Sequence, residues 1–135
     1  MTKYTYVALF NEDEDLGVYT ITVPDLPGVI SEGVTIEESI KQITDALEIW
    51  LLSAEDMSLN INPPSIFSDL QKKIKGKNDF LQYITVDTDF ARKREMNKSV
   101  KKTLTIPSWL NDLAIEKDIN FSQLLQQALK QELDV

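Results

Sequence analysis

The spacing of apolar residues changes once in the first half of the chain, from every second position to the longer repeat of a helix. From Tyr4 to Phe10 the chain alternates, with Tyr4, Tyr6, Ala8 and Phe10 on one face and Thr5, Val7 and Leu9 on the other, the two-residue period of a strand. A second β-rich run, Val18 to Val23, follows the acidic turn Asn11 to Gly17, so the two runs predict a hairpin. Pro24 to Gly28 is a turn cluster, and Val29 to Glu32 fits a short third strand. The repeat then lengthens: Ile36, Ile40, Ile43, Leu47, Trp50 and Leu51 share one helical stripe. Thr35 followed by Glu38 forms a capping box at its start, and the helix should run to about Leu52 or Ala54. Pro63 and Pro64 bar helix from Asn60 to Ser65. Ile66, Phe67, Leu70 and Ile74 then predict an additional helix within 66–79, ended by Gly76, and Phe80 to Val86 predicts a returning strand. Residues 92–98 lose the apolar pattern and gather charge, as a linker does. The expected fold class is α+β: a βββαβ domain over residues 1–91, a linker over 92–98 and a small unit over 99–135.

That small unit opens with another alternation, Val100 to Ile106, which Pro107 stops. Leu104 and Ile106 share one face of the expected strand; Lys101, Thr103 and Thr105 share the other. Two short helical patterns follow, the first with Leu110, Leu113 and Ala114, the second with Phe121, Leu124, Leu125, Ala128, Leu129 and Leu133. A turn at Asp118 to Asn120 separates them, and Asn120 stands three residues before Gln123, a second capping arrangement. One strand and two helices cannot close a core, since domains below about 40 residues usually need metals, disulfides or a second subunit. The chain has neither cysteine nor histidine, which leaves a second subunit. A homodimer centred on Leu104, Ile106, Leu110, Leu113, Leu124, Leu125 and Leu129 is expected. Two copies of the strand paired antiparallel would form a polar ribbon sized for the major groove of DNA. The layout resembles the ribbon-helix-helix family of DNA-binding proteins across residues 99–135. The resemblance implies base contacts from Lys101, Thr103 and Thr105. It also implies phosphate contacts from the amides at Asn120, Phe121 and Ser122, where a helix N-terminus attracts anions, with Lys98 and Lys102 adding charge. The plainer alternative makes the lysines and threonines the solvated face of an edge strand.

Net charge is −8, yet its distribution is uneven. Residues 1–91 hold sixteen acids against six lysines, while 92–135 hold eight bases against six acids. Arg92, Lys93, Arg94, Lys98, Lys101 and Lys102 crowd the approach to the ribbon against the single acid Glu95. Such asymmetry predicts two partners, a polyanion for the second part and something basic for the first.

The first part resembles the N-terminal domain of HicB-type antitoxins, a partial ribonuclease-H-like domain. The likeness rests on the opening strand, the Pro24-Asp25-Leu26-Pro27-Gly28 turn, the Gly33-x-Thr35 entry and the Glu37-Glu38 helix start. Val29 departs from the polar residue or cysteine that many relatives carry after this turn, and the segment 66–79 is an insertion. The resemblance implies masking of a HicA-type toxin, an mRNA interferase with a double-stranded-RNA-binding-like fold and a catalytic histidine. It also implies repression of the operon through operator DNA, with further association of dimers and toxin left open. The acids Glu12, Asp13, Glu14, Asp15 and Asp25 are the candidate toxin contacts.

Catalysis is not expected. Two-metal phosphoryl chemistry needs carboxylates converging on ions about 4 Å apart, whereas Asp13, Asp25, Asp87 and Asp89 are simply acids near strand ends and turns. There is no histidine for base work near neutrality, no cysteine nucleophile and no glycine-rich phosphate loop; no metal or cofactor is expected. No apolar run approaches the ~20 residues of a membrane span and no signal peptide pattern is present, so a cytoplasmic protein is expected. An acidic sensor domain on a stand-alone ribbon-helix-helix regulator is the competing reading, and a degenerate nuclease a third.

Overall fold

A computed structural model describes residues 2–96 and 99–135, which fall into two units, 1–97 and 98–135. In the first unit the elements run β1 (Lys3–Asp13), β2 (Val18–Thr22), β3 (Ile30–Gly33), α1 (Ile36–Asp56), α2 (Phe67–Gln71), β4 (Phe80–Asp87) and α3 (Thr88–Glu95). The four strands form one sheet in the order β3-β2-β1-β4, antiparallel throughout.

Strand β1 runs three residues past the expected end at Phe10. Asn11, Glu12 and Asp13 continue its ladder against Thr20, Tyr19 and Val18. The turn is correspondingly tight. Asp13 Oδ1 accepts the amides of Asp15 and Leu16 at 3.1 and 3.2 Å, and Gly17 takes φ +67°, a left-handed conformation that glycine adopts without a Cβ clash.

The alternation on β1 sets the core. Tyr6, Ala8 and Phe10 join Ile21 and Val23 of the neighbouring strand region, Ile84 and Val86 of β4, and Ile43, Leu47 and Leu51 of α1. Burial of each large aliphatic side chain stabilises by about 1.5–3 kcal/mol, so these helix residues hold α1 on the sheet. The stripe is narrower than expected, because Ile36 in the first turn is exposed. Thr35 caps α1 as expected, its hydroxyl accepting Glu38 N–H at 3.1 Å, while the Glu38 carboxylate reaches back to Val34 N–H at 3.2 Å. Gly33 is required by the close approach there: a Cβ would lie 2.9 Å from the Ser39 backbone.

Val7 and Leu9, on the other face, are also buried. Val7 pairs with Tyr83, and Phe67 of α2 packs on the Tyr83 ring at 5.2 Å between centroids, placing α2 over this reverse face with Leu70 buried. The insertion helix is shorter than the 66–79 pattern predicts, Phe67–Gln71. Ile66 is exposed and Ile74 only half-buried, so neither extends an apolar stripe that would repay further helix.

The expected linker requires the larger correction. Arg92 to Glu95 are helical, the second half of α3, and α3 starts immediately after β4. Asp87 caps it by accepting Phe90 N–H at 3.1 Å. The segment Phe80 to Phe90 belongs to the first unit through β4's ladder with β1.

In the second unit α4 (Ser108–Glu116) and α5 (Phe121–Leu133) stand either side of the Lys117–Asn120 turn, with Asp118 at φ +55°. Asn120 Oδ1 accepts Gln123 N–H at 3.1 Å. Residues 99–107 form neither helix nor strand. A ribbon strand is defined by a partner's ladder, and the expected partner is another copy of the same segment.

Candidate functional site

No side chain of α4 or α5 is buried. Of the expected dimer core, Leu104 is 62% exposed, Leu124 53% and Leu113 50%. Ile106, Leu110 and Leu129 are exposed as well, and Leu125 is half-buried. Their apolar atoms line two open grooves of about 480 and 510 Å³ that share Ile106, Phe121 and Leu124. Leu104 and Lys102 line the second groove together with Ser122, whereas Lys101, Thr103 and Thr105 line neither. The structure thus separates the residues as the alternation predicts, with Leu104 and Ile106 turned to the apolar side. Asn120, Phe121 and Ser122 occupy the first positions of α5, and Lys102 lies on the Ser122 side. Lys98 lies outside the described residues. Trp109, 64% exposed on α4, is a large apolar side chain that the expected core omitted; its place one residue before Leu110 was the available signal.

The acids expected to meet a partner fall into two groups. Glu12 to Asp15 stand at the β1–β2 turn, while Asp25 lies beyond the other end of β2, whose five residues span about 16 Å. Several of these acids also have structural tasks. Asp13 forms the turn described above, and Glu14 accepts the Asn78 side-chain amide at 2.8 Å. Asp25 holds the proline connection, accepting Ser65 N–H at 2.8 Å and the Ser65 hydroxyl. Asn62 on the same connection donates to the Asp25 carbonyl at 3.1 Å, and Tyr6 donates to the Asn62 carbonyl at 2.5 Å.

The largest polar cluster joins β1, α1 and α3, and it was not expected from sequence. Glu55 accepts from Tyr4 Oη at 2.7 Å, Thr88 Oγ1 at 2.9 Å and Arg92 Nη2 at 2.9 Å. Burial pushes its carboxyl up, but the bonds from Arg92, Tyr4 and Thr88 outweigh burial and hold it below its ordinary range. Arg92 also pairs with Asp56 at 2.9 Å, and Arg94 with Glu48. Two of the six cations attributed to the ribbon approach are therefore engaged within the first unit. With the boundary at 97/98, the second unit holds five lysines against five acids. Its positive charge is confined to Lys98, Lys101 and Lys102 at one end, apart from Lys117 and Lys130.

Among the described residues no group of three or more carboxylates is placed to hold a metal ion, and no helix is long and apolar enough to cross a membrane.

Comparison with solved structures gives the same architecture. A toxin-antitoxin complex from Streptococcus pneumoniae contains a chain 25% identical, covering 97% of this chain and 99% of that one, with TM-score 0.58. The N-terminal domain of the Burkholderia pseudomallei antitoxin HicB is 26% identical, covering 62% of this chain and 99% of that one, with TM-score 0.54. The longer HicB structure from Burkholderia pseudomallei, at 22% identity and TM-score 0.57 over 98% of this chain and 99% of that one, shares the fold. A search of curated proteins finds no match. A family model described as the HicB-like antitoxin of the bacterial toxin-antitoxin system matches residues 6–129, and the chain belongs to that family.

Proposed function

We propose that this antitoxin masks a HicA-type mRNA interferase with its first unit and represses its own operon with its second, as a homodimer on operator DNA. The observation that carries the DNA half is the unclosed core of residues 99–135. A unit that leaves Leu104, Leu113 and Leu124 at least half exposed gains stability only by joining another apolar face. Joining a second copy of itself would bring two Lys101-Thr103-Thr105 edges together as one ribbon.

The toxin half is supported by the family and by the net charge of the first unit, where residues 1–97 hold seventeen acids against nine bases. An RNA-cleaving enzyme must present a cationic surface to its substrate, and an acidic domain can cover that surface with favourable steering. The Streptococcus pneumoniae neighbour was solved as a toxin-antitoxin complex, which supports the same role for this chain.

The test is co-expression with the small open reading frame adjacent to this gene, scored by rescue of growth, beside a gel shift on the operon's upstream DNA. Rescue with a shift is the expected result. A shift with no toxic neighbour would instead identify a stand-alone regulator.

A further inference from the structure

We propose that the last turn of α3 is an electrostatic latch that withholds Arg92 and Arg94 from DNA until a polyanion competes for them. The proposal rests on the reading of residues 99–135 as the DNA-binding unit. The two halves of α3 are held differently. Thr88 and Ala91 are 0% and 1% exposed, so the first turn is anchored in the unit. Beyond Ala91 the helix faces solvent, with Lys93, Arg94 and Glu95 exposed and Arg92 half-buried. The contacts there are chiefly ionic: Arg92 with Glu55 and Asp56, and Arg94 with Glu48. Arg94 also lies 5.9 Å from the Phe90 ring centroid.

Exposed pairs of this kind contribute about 0–1 kcal/mol each, far less than unfolding the unit would cost. The last turn can therefore open while the first stays docked. Arg94 precedes Lys101 by seven residues, about 23–25 Å of extended chain and less than one turn of duplex, ~34 Å. Phosphate suits a guanidinium at least as well as carboxylate does, through the same paired N–H···O bonds. A closed latch keeps the operator footprint confined to the lysines of the second unit; an open one adds up to two arginines.

The experiment uses the full chain in an anisotropy titration against operator and random duplex at several salt concentrations. Arg94→Ala alone should change affinity less than twofold. Glu48→Gln with Asp56→Asn should raise affinity for both duplexes about three- to tenfold. The same pair should steepen the salt dependence by about one to two phosphates, at roughly 0.9 in slope per contact. Glu37→Gln with Asp45→Asn removes equal charge from the same helix outside these pairs and should leave the slope unchanged. Adding Arg92→Ala and Arg94→Ala to the Glu48/Asp56 variant should return the slope to wild type. The latch is overturned if Arg94→Ala weakens binding as much as Lys102→Ala does, or if the Glu48/Asp56 variant leaves the slope where it was. Amide exchange over residues 92–96 decides the case separately from DNA binding. It should quicken in the Glu48/Asp56 variant while α1 stays protected, and unchanged exchange overturns the latch even if no duplex binds.

Discussion

Arg92 sits with its Nη2 2.9 Å from Glu55 Oε1, while Nη1 of the same guanidinium is 2.9 Å from Asp56 Oδ1. Because Glu55 also takes the Tyr4 and Thr88 hydroxyls, its loss should cost more than loss of the arginine. Glu55→Ala strands several donors, and should lower the stability of the first unit by about 1–3 kcal/mol. Arg92→Ala removes exposed pairs and should cost about 1 kcal/mol or less. Urea midpoints of the two variants decide the order. A fragment of residues 1–91 should likewise melt at lower urea than 1–97, because it deletes both arginines that tie α3 to α1.

Gly33 supplies a second test. A methyl at this position would meet Ser39 Cα and N at 2.9 Å, and both are backbone atoms of a helix packed on the core. Gly33→Ala should therefore destabilise by about 1–3 kcal/mol, the usual range for forcing extra atoms into a filled space. Ser39→Ala should not relieve it, since the backbone contacts remain. Thermal melts of the single and double variants would show this as a deficit that does not shrink.

These two clusters mark where sequence ceased to be legible. The alternation in β1 and the capping box at Thr35 are local, so their periods could be read directly and the structure agrees with them. The end of β1 could not be read, because Asn11 to Asp13 are strand only through Thr20, Tyr19 and Val18 across the hairpin. Arg92 to Glu95 read as linker because they carry no apolar stripe. Their helix is stabilised by acids some forty residues earlier, a pairing that no local pattern announces. In the second unit the reverse holds. The apolar residues of the grooves were all visible as helical stripes, but their burial depends on a second chain.

The pH dependence follows from the same carboxylates. Glu55 is lowered as described. Burial pushes Asp79 up, but the amides of Gly76 and Glu12 and the Asn11 side chain outweigh it and lower it. Thr2 N–H, at 3.0 Å, lowers Asp89. A depressed carboxyl binds fewer protons folded than unfolded, so its contribution is present above the ordinary values of 4.5 for Glu and 3.8 for Asp and lost as pH falls below them. Tyr4 has the opposite sign: burial and then the Glu55 bond push it up to about 12 from 10.0, so its contribution is intact below pH 10 and lost toward pH 12. Urea midpoints of the first unit should fall on the acid side of 4.5 and again on the alkaline side of 10. Tyr4→Phe should remove the alkaline fall.

Oligomerisation can be separated from folding of the first unit. Leu125 is the most covered of the expected dimer residues, and its neighbours in the groove are Leu104, Phe121 and Ala128. An aspartate there would place an unpaired charge in the expected interface, which costs several kcal/mol. Leu125→Asp should give a monomer by light scattering at micromolar concentration and abolish DNA binding. The urea midpoint of the first unit should not move. A wild-type chain that is itself monomeric at that concentration would remove the basis for the ribbon.

Thr103 gives the sharpest test of DNA readout, because it is the middle residue of the polar edge. Base contacts discriminate by about 1–3 kcal/mol each, whereas phosphate contacts set register and salt dependence without reading sequence. Thr103→Ala should therefore weaken binding to the operator more than to random duplex. Lys102→Ala, on the Ser122 side of the unit, should weaken both equally and make the salt dependence shallower. Neither should impair toxin neutralisation, since both lie outside the acidic unit. If Lys101→Ala, Thr103→Ala and Thr105→Ala combined leave operator affinity intact, the polar edge is a solvated strand face. DNA would then have to be read by another element, with the exposed surface of α4 and its Trp109 the next to examine.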